Sequence, residues 1–351
     1  MKTRIIFLGV LLLLIAPTSI VNLLAAPQTT KFSTPLEEKL YQAALKEGEL
    51  IWWDQHSMKE AGRMIQEFNK KYPGIKVTYY EATMDVLGEK FFAEYKAGRE
   101  TTDIIQAEPY KPFKEQNLLL NISDIIKDVN YPEKFCPKGL WGASVEHTVF
   151  SVFYNTKLIA PGDVPRSWED LLNPKWKGKI NLEPRCKLFV WGTKYWGEKW
   201  IVDYLKKLKG QNLNLDKGST HVLTLLSTGE FAISIGPNLH RILILQGKGA
   251  PVDQLPISPA VHKGVNATGI PKMSRHPNAA KLFLRWWMSP EGQLLNDKIR
   301  FKGNPLPGSG TGQANILAKH KVQLFSSDEW AIDNEERLTD LYTEAIGLSS
   351  K

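Results

Sequence analysis

Between Glu49 and Ala82 the chain switches between two hydrophobic periods in an order that few folds can accommodate. Leu50-Ile51-Trp52-Trp53 is an apolar run of strand length that stops at the polar loop Asp54-Gln55-His56. Ser57 and Glu60 follow at capping-box spacing: the serine oxygen accepts from the N–H of Glu60 and the glutamate accepts from the N–H of Ser57. Ala61, Met64, Ile65 and Phe68 recur at three- and four-residue intervals, which predicts a helix over 58–71 lying on a sheet. Tyr72-Pro73-Gly74 ends that helix, and Ile75 to Tyr80 alternates as a second strand, with Tyr79-Tyr80 read as packing. Strand, helix and strand together fit one right-handed parallel crossover.

This arrangement holds His56 beside a helix N-terminus, where N–H groups without intrahelical partners favour an anion or a metal-bound anion. A loop histidine facing water fits the same pattern.

Lys2 and Arg4 precede the apolar run Ile5 to Ile15, and small residues follow at Ala25-Ala26, the pattern of a secretory signal over residues 1–25. The run is too short for a bilayer span, and no cysteine follows it, so a periplasmic protein is expected and not a lipoprotein. The remaining chain of about 325 residues suits two lobes better than one core. Its net charge falls from +8 to about +6 once Lys2 and Arg4 are removed, without a basic run, so nucleic acid is not an expected partner. An oxidising compartment would permit Cys136 and Cys186 to pair, and spacing alone leaves that open. No HExxH, paired CxxC or Walker lysine motif occurs.

Thr34-Pro35-Leu36-Glu37 reads as another capping box with proline at the first helical position. Thr102 to Ala107 is a short apolar strand, which puts Glu108 at its carboxyl end, where ligands of open parallel sheets collect. Phe231 to Ile235 is a strand that stops at Gly236-Pro237, leaving Asn238, Leu239 and His240 in a strand-end loop. Residues 191–209 look helical throughout. Gly308-Ser309-Gly310-Thr311-Gly312 follows prolines instead of a strand and is read as a surface connection without a helix after it. Most of the 11 tryptophans are expected in cores or at rims, although any could offer a stacking face to a sugar or cation.

Taken in order, several motifs resemble the bacterial periplasmic solute-binding proteins of ABC importers, in the branch that contains the ferric-ion-binding proteins. The resemblance is carried by Ala44-Leu45-Lys46-Glu47-Gly48, Phe68 through Ile75, Tyr154-Asn155-Thr156, and Pro165 through Pro174 with Trp176-Lys177-Gly178-Lys179. It continues through Gly229-Glu230 and Pro277 through Phe283 to Ser289-Pro290-Glu291-Gly292-Gln293. It implies an α/β protein of the two-lobed type II periplasmic-binding-protein (Venus-flytrap) fold with hinge crossovers, acting by closure on a ligand and not by catalysis. The lobes are expected at 33–146 with 250–318 and at 147–249, with 319–351 a C-terminal helical segment of undecided lobe. The implied partners are a small solute and an inner-membrane permease, and the implied state is a monomer.

His56 and Glu108 fall where ferric-binding relatives carry a histidine and a glutamate ligand, but their adjacent tyrosines are replaced here by Leu239-His240. Phenolate is a hard donor suited to Fe(III), whereas imidazole suits softer divalent ions. After Ile180-Asn181-Leu182 the relatives carry small or hydroxyl residues against an anion; this chain has Pro184-Arg185-Cys186-Lys187. Arg185 could grip a carboxylate, phosphonate or sulfonate with its planar fork, with Lys187 and Arg241 adding positive potential, or could be part of an exposed basic loop. The first expectation is therefore a small anionic organic solute, held by His56, Glu108, Arg185, Asn238 and His240 without a cofactor. The alternative keeps Fe(III) or another transition ion on His56, Glu108 and His240, with Tyr110 or Tyr195 in support. A secreted hydrolase is a third reading, against which stands the lack of any nucleophile-elbow motif.

Overall fold

The computed structural model describes residues 31–99, 101–106 and 108–348. The expected signal segment and its end near Ala26 lie outside these residues. Ten strands are present among them: β1 (Glu49–Asp54), β2 (Lys76–Glu81), β3 (Ile104–Gln106), β4 (Val149–Asn155) and β5 (Ile180–Leu182), then β6 (Ile233–Asn238), β7 (Val252–Gln254), β8 (Ala260–His262), β9 (Thr268–Gly269) and β10 (Leu324–Ser326).

The first sheet has the order β2-β1-β3-β9. β1 pairs in parallel with β2 from Glu49 opposite Lys76 to Asp54 opposite Glu81, as the strand, helix and strand pattern requires. The helix between them, Met58–Lys71, starts on the expected capping box: Ser57 N donates to Glu60 Oε2 at 3.0 Å and Glu60 N to Ser57 Oγ at 3.4 Å. Its buried face, Ala61, Met64 and Phe68, rests on the helix Pro277–Met288, where Phe68 meets Phe283 and Trp286 at ring separations of 4.9 and 5.5 Å. Aromatic side chains packed this way each contribute about 3–5 kcal/mol relative to alanine.

Glu37 differs from the sequence expectation. Thr34 caps the helix Pro35–Glu47, but the Glu37 carboxylate accepts from Ser33 N and Tyr72 Oη and lies 3.3 Å from Arg285 Nη1. Burial raises its pKa, yet these donors outweigh burial and hold the group at about 2. A residue read as a local cap is an ion-paired brace between helices.

The second sheet runs β10-β8-β4-β6-β5, with β7 also on β4. β4 is antiparallel to β6, β7 and β8, while β5 and β6 are parallel. The expected return to the first lobe at residue 250 therefore differs from the observed pairing. Val252, Leu255, Ile257 and Val261 are buried in the second-lobe cores, and the chain re-enters the first sheet only at β9. The helix Gly312–Lys319 buries Ile316 and Leu317 in the second lobe, and Glu335–Ala345 buries Leu338 and Tyr342 there.

Two smaller expectations change as well. The helical stretch 191–209 is divided into Lys187–Trp196 and Glu198–Lys209 at Gly197, whose φ of 79° is a left-handed value that glycine adopts without strain. A helix does follow the glycine-rich 308–312 segment. Its first N–H groups are met by the protein itself, Gly312 N donating to Asp297 Oδ2 at 2.8 Å and Ala314 N to Thr311 Oγ1 at 3.3 Å.

Three segments joining the sheets lie side by side. Ala143 bridges Thr268, Val149 pairs with His262, and His147 N donates to Lys302 O at 3.0 Å. Cys136 and Cys186 are free thiols, buried in the cores of different lobes, so the pair left open by the sequence is not formed. Among the described residues no helix is long and apolar enough to cross a membrane.

Candidate functional site

The carboxyl ends of β5 and β6, the first residues of β4 and the exit of β8 meet at one edge of the second sheet, and loops leaving strand ends are where such sheets gather ligands. Glu183 directly follows β5. The next turn, with Cys186 at φ 50°, bends the chain so that Arg185 Nε donates back to Glu183 Oε1 at 2.6 Å. A cavity of about 220 Å³ opens here, lined by Thr148, Glu183, Arg185, Lys187, Asn238 and Lys263 among others. A larger cavity of about 720 Å³ adjoins it, with Asp85, Glu89, Glu108, Tyr110 and Trp191 in its wall. Lys263, Trp191 and Glu335 line both.

Lys263 sits on the segment that joins β8 to the first sheet. Its Nζ lies 3.2 Å from Glu108 Oε1 and 5.6 Å from the centre of the Trp191 ring. Three of the expected residues, Glu108, Arg185 and Asn238, therefore line one cleft whose two halves are linked by Lys263.

His56 and His240 line neither cavity. His56 is wholly buried, with Nδ1 2.8 Å from Asp54 Oδ1 and Nε2 3.2 Å from Glu146 Oε1. The second approach is an ion pair poorly aligned for a hydrogen bond, since Nε2 has no partner of good geometry. Burial works against protonating this ring, but the two carboxylates outweigh it and raise its pKa to about 9. Both ring nitrogens face carboxylates inside the protein and not the open cavities.

Glu146 also takes Arg300 Nη1 at 2.7 Å and Lys302 Nζ at 3.3 Å. These surrounding cations hold its carboxyl well below the usual range in spite of its burial. His240 is buried near the same charges. Burial, with Lys302 and Arg241, pushes its pKa well below the ordinary value, and its Nδ1 has no hydrogen-bond partner. The expected histidines are thus in opposite protonation states beside one buried charge cluster.

The metal reading loses its geometry in this arrangement. Glu108 lines the open cleft while His56 and His240 do not, and Tyr195 lines neither cavity. Among the described residues no group of three or more His, Cys, Asp or Glu side chains converges as a metal site. The anion reading changes too: the Arg185 Nε–H that was to meet a ligand donates to Glu183.

Sequence reasoning missed Glu183, Lys263, Glu146 and Lys302. Glu183 carries the same signal that identified Glu108, an acidic residue directly after a short apolar strand. Nothing local marks Lys263 or Lys302, whose roles come from crossover segments far apart in the chain.

The sequence profile of the bacterial extracellular solute-binding proteins matches residues 52–294. An uncharacterized protein of Haemophilus influenzae is 28% identical over 198 residues, covering 53% of this chain and 54% of that protein, so that alignment spans about half of the relative. A Serratia marcescens Fe(3+)-binding periplasmic protein is 24% identical over 294 residues, 78% of this chain and 84% of that one. Two solved structures share the fold. The Trichodesmium protein IdiA (FutA) in complex with iron and citrate has a TM-score of 0.69 and 17% identity, over 86% of this chain and 99% of its own. The periplasmic binding protein AfuA from Actinobacillus pleuropneumoniae, with fructose-6-phosphate bound, has a TM-score of 0.62 and 22% identity over the same shares. With a two-lobed α/β fold, a cleft at strand ends and a profile match across most of its length, the chain belongs to the bacterial extracellular solute-binding proteins and has relatives among the ferric-ion-binding ones.

Proposed function

We propose that this chain is the periplasmic substrate-capturing component of an ABC importer, acting as a monomer that takes a small organic solute with an acid group into the cleft between its lobes and passes it to a membrane permease. The cycle is binding and hinge closure, with no turnover. A solute touching both walls favours the closed form by its differential affinity for the two states, and release to the permease reverses it.

The observation that carries the reading is the commitment of His56 to Asp54 and Glu146, while the open cleft is lined by Lys263, Arg185 and Lys187. An acid group can displace Glu108 from Lys263 and reach the ammonium, whereas His56 is held between Asp54 and Glu146 and lines neither cavity. Ferric capture remains the second reading, favoured by the Serratia relative described as an Fe(3+)-binding protein and by the iron-and-citrate complex of the Trichodesmium protein.

A thermal-shift screen of the metal-free chain separates the two. Carboxylates, phosphonates, sulfonates or sugar phosphates should raise Tm, since ligand at a hundred times its Kd adds about 2.7 kcal/mol. Stabilisation by ferric salts alone would reverse the order of the two readings.

A further inference from the structure

Glu183 is only 2% exposed, and its two carboxylate oxygens have different surroundings. Oε1 accepts from Arg185 Nε, while Oε2 is buried without any hydrogen-bond partner. Asn238, across the same cavity, also has a buried side-chain oxygen, Oδ1, with no partner. A buried acceptor left unmet costs about 1–3 kcal/mol, and more when charged, so the floor of this cavity is deficient in donors.

The donors already present are engaged. Arg185 faces Glu183, Lys187 Nζ contacts Glu335, and Lys263 faces Glu108. Asp85 and Glu89, one turn apart on the helix Met84–Lys96, add two more carboxylates to the wall of the adjoining cavity. That wall also presents Trp191, Phe92 and Tyr110, and the Lys263 ammonium beside the Trp191 ring shows that this aromatic surface accommodates a cation.

We propose that the transported solute is a small zwitterion, carrying a cationic amine as well as its acid group, and that Glu183 Oε2 with Asn238 Oδ1 forms the subsite that receives the amine. This deepens the reading of the cleft as an organic-acid site and rests on it. An ammonium carries three donors for such unmet acceptors, and its bond to a carboxylate is charge-assisted, roughly twice as strong as one from a neutral hydroxyl. The acid group is left to Lys263, which lines both halves of the cleft.

Matched ligands test the assignment by calorimetry on the purified chain: β-alanine against propionate and 3-hydroxypropionate, taurine against ethanesulfonate and isethionate, and aminoethylphosphonate against ethyl- and hydroxyethylphosphonate. At least one amino compound should bind ten-fold or more tighter than its unsubstituted partner, and in E183Q that ratio should fall below three-fold. The ratios on the unaltered protein decide the matter even if E183Q does not fold. Equal affinity across a series, or preference for the hydroxyl member, overturns the amine subsite while leaving the organic-acid reading in place. Indifference to every member overturns the amine subsite, and the organic-acid reading falls with it when no carboxylate, phosphonate, sulfonate or sugar phosphate raises Tm either.

Discussion

His147 Nδ1 accepts a hydrogen bond from His262 Nε2 at 3.0 Å, joining two of the segments that connect the lobes. The direction is fixed by the neighbours. Gly264 N donates to His262 Nδ1 at 3.1 Å, so the His262 proton sits on Nε2, and His147 in turn passes its Nε2 proton to Tyr131 Oη at 2.9 Å. Tyr131 donates to Ser144 O, and the chain of donors ends there. Every member is buried, and each ring is neutral with one assigned tautomer.

Acid should therefore loosen the hinge. Burial depresses His147 to about 3, with Glu146 opposing only in part, and burial with His147, Lys134 and Lys263 also holds His262 well below its ordinary value. A folded-state pKa below the unfolded 6.5 means that the unfolded chain takes up protons first as pH falls. For His147 the contribution is complete above about pH 6.5 and diminishes from there toward pH 3, by about 3 kcal/mol at pH 4; His262 acts in the same direction. Melting temperature measured from pH 7 to 4 should fall steeply, and more gently in H147Q.

His56 predicts the opposite slope. Its folded pKa of about 9 exceeds the unfolded value, so its contribution is complete below about pH 6.5 and is lost as pH rises through 9. The imidazole protons of His56, followed by NMR, should titrate near pH 9. A value at or below 6.5 would mean that Asp54 and Glu146 do not hold the ring as a cation.

Removing Glu146 leaves His56, Arg300 and Lys302 facing one another in a buried space. E146A should cost about 3–5 kcal/mol in urea denaturation, the usual effect of breaking a buried ion pair from one side. The double variant E146A/K302M should recover part of this loss, because one of the unmatched cations goes with it.

The local elements were legible from the sequence, and the long-range partners were not. The β1–helix–β2 unit and the Ser57–Glu60 cap depend on neighbours within a few residues; Glu108 and Asn238 line the cavities at strand ends, although β6 continues through Asn238 and Leu239 and His240 open a helix where a loop was expected. His56 looked like a ligand because its loop ends at a helix start, but its fate is decided by Glu146, which lies on a crossover ninety positions away. Strands as short as β7, β8 and β10 carry too few residues to show which sheet they join, and only burial against β4 and its helices assigns them. Arg185 was readable in part: an acidic residue two positions upstream was available to neutralise it.

The two thiols give a redox prediction. Cys136 is buried in the first-lobe core, with its pKa raised to about 12 by burial and then by Glu133, and Cys186 is buried in the second. A thiol reacts as its thiolate, so both should be nearly inert to iodoacetamide at pH 8 in the folded protein and label fully in urea. Dithiothreitol should leave Tm unchanged, and a fall of several degrees would indicate a disulfide.

Lys263 provides the sharpest test of the cleft, because it is the basic residue common to both cavities and its ion pair among the described residues is with Glu108. In K263M the alkyl stem keeps its place beside Trp191 while the ammonium is lost. The pair it breaks is partly open to solvent, and such pairs contribute about 0–1 kcal/mol, so Tm should move little. Affinity for the bound acid should drop ten-fold or more, the loss of roughly one charge-assisted hydrogen bond. Unchanged affinity in K263M, with the fold intact by circular dichroism, would place the acid group elsewhere, on Arg185 or Lys187, and K187M would then be the variant that loses binding.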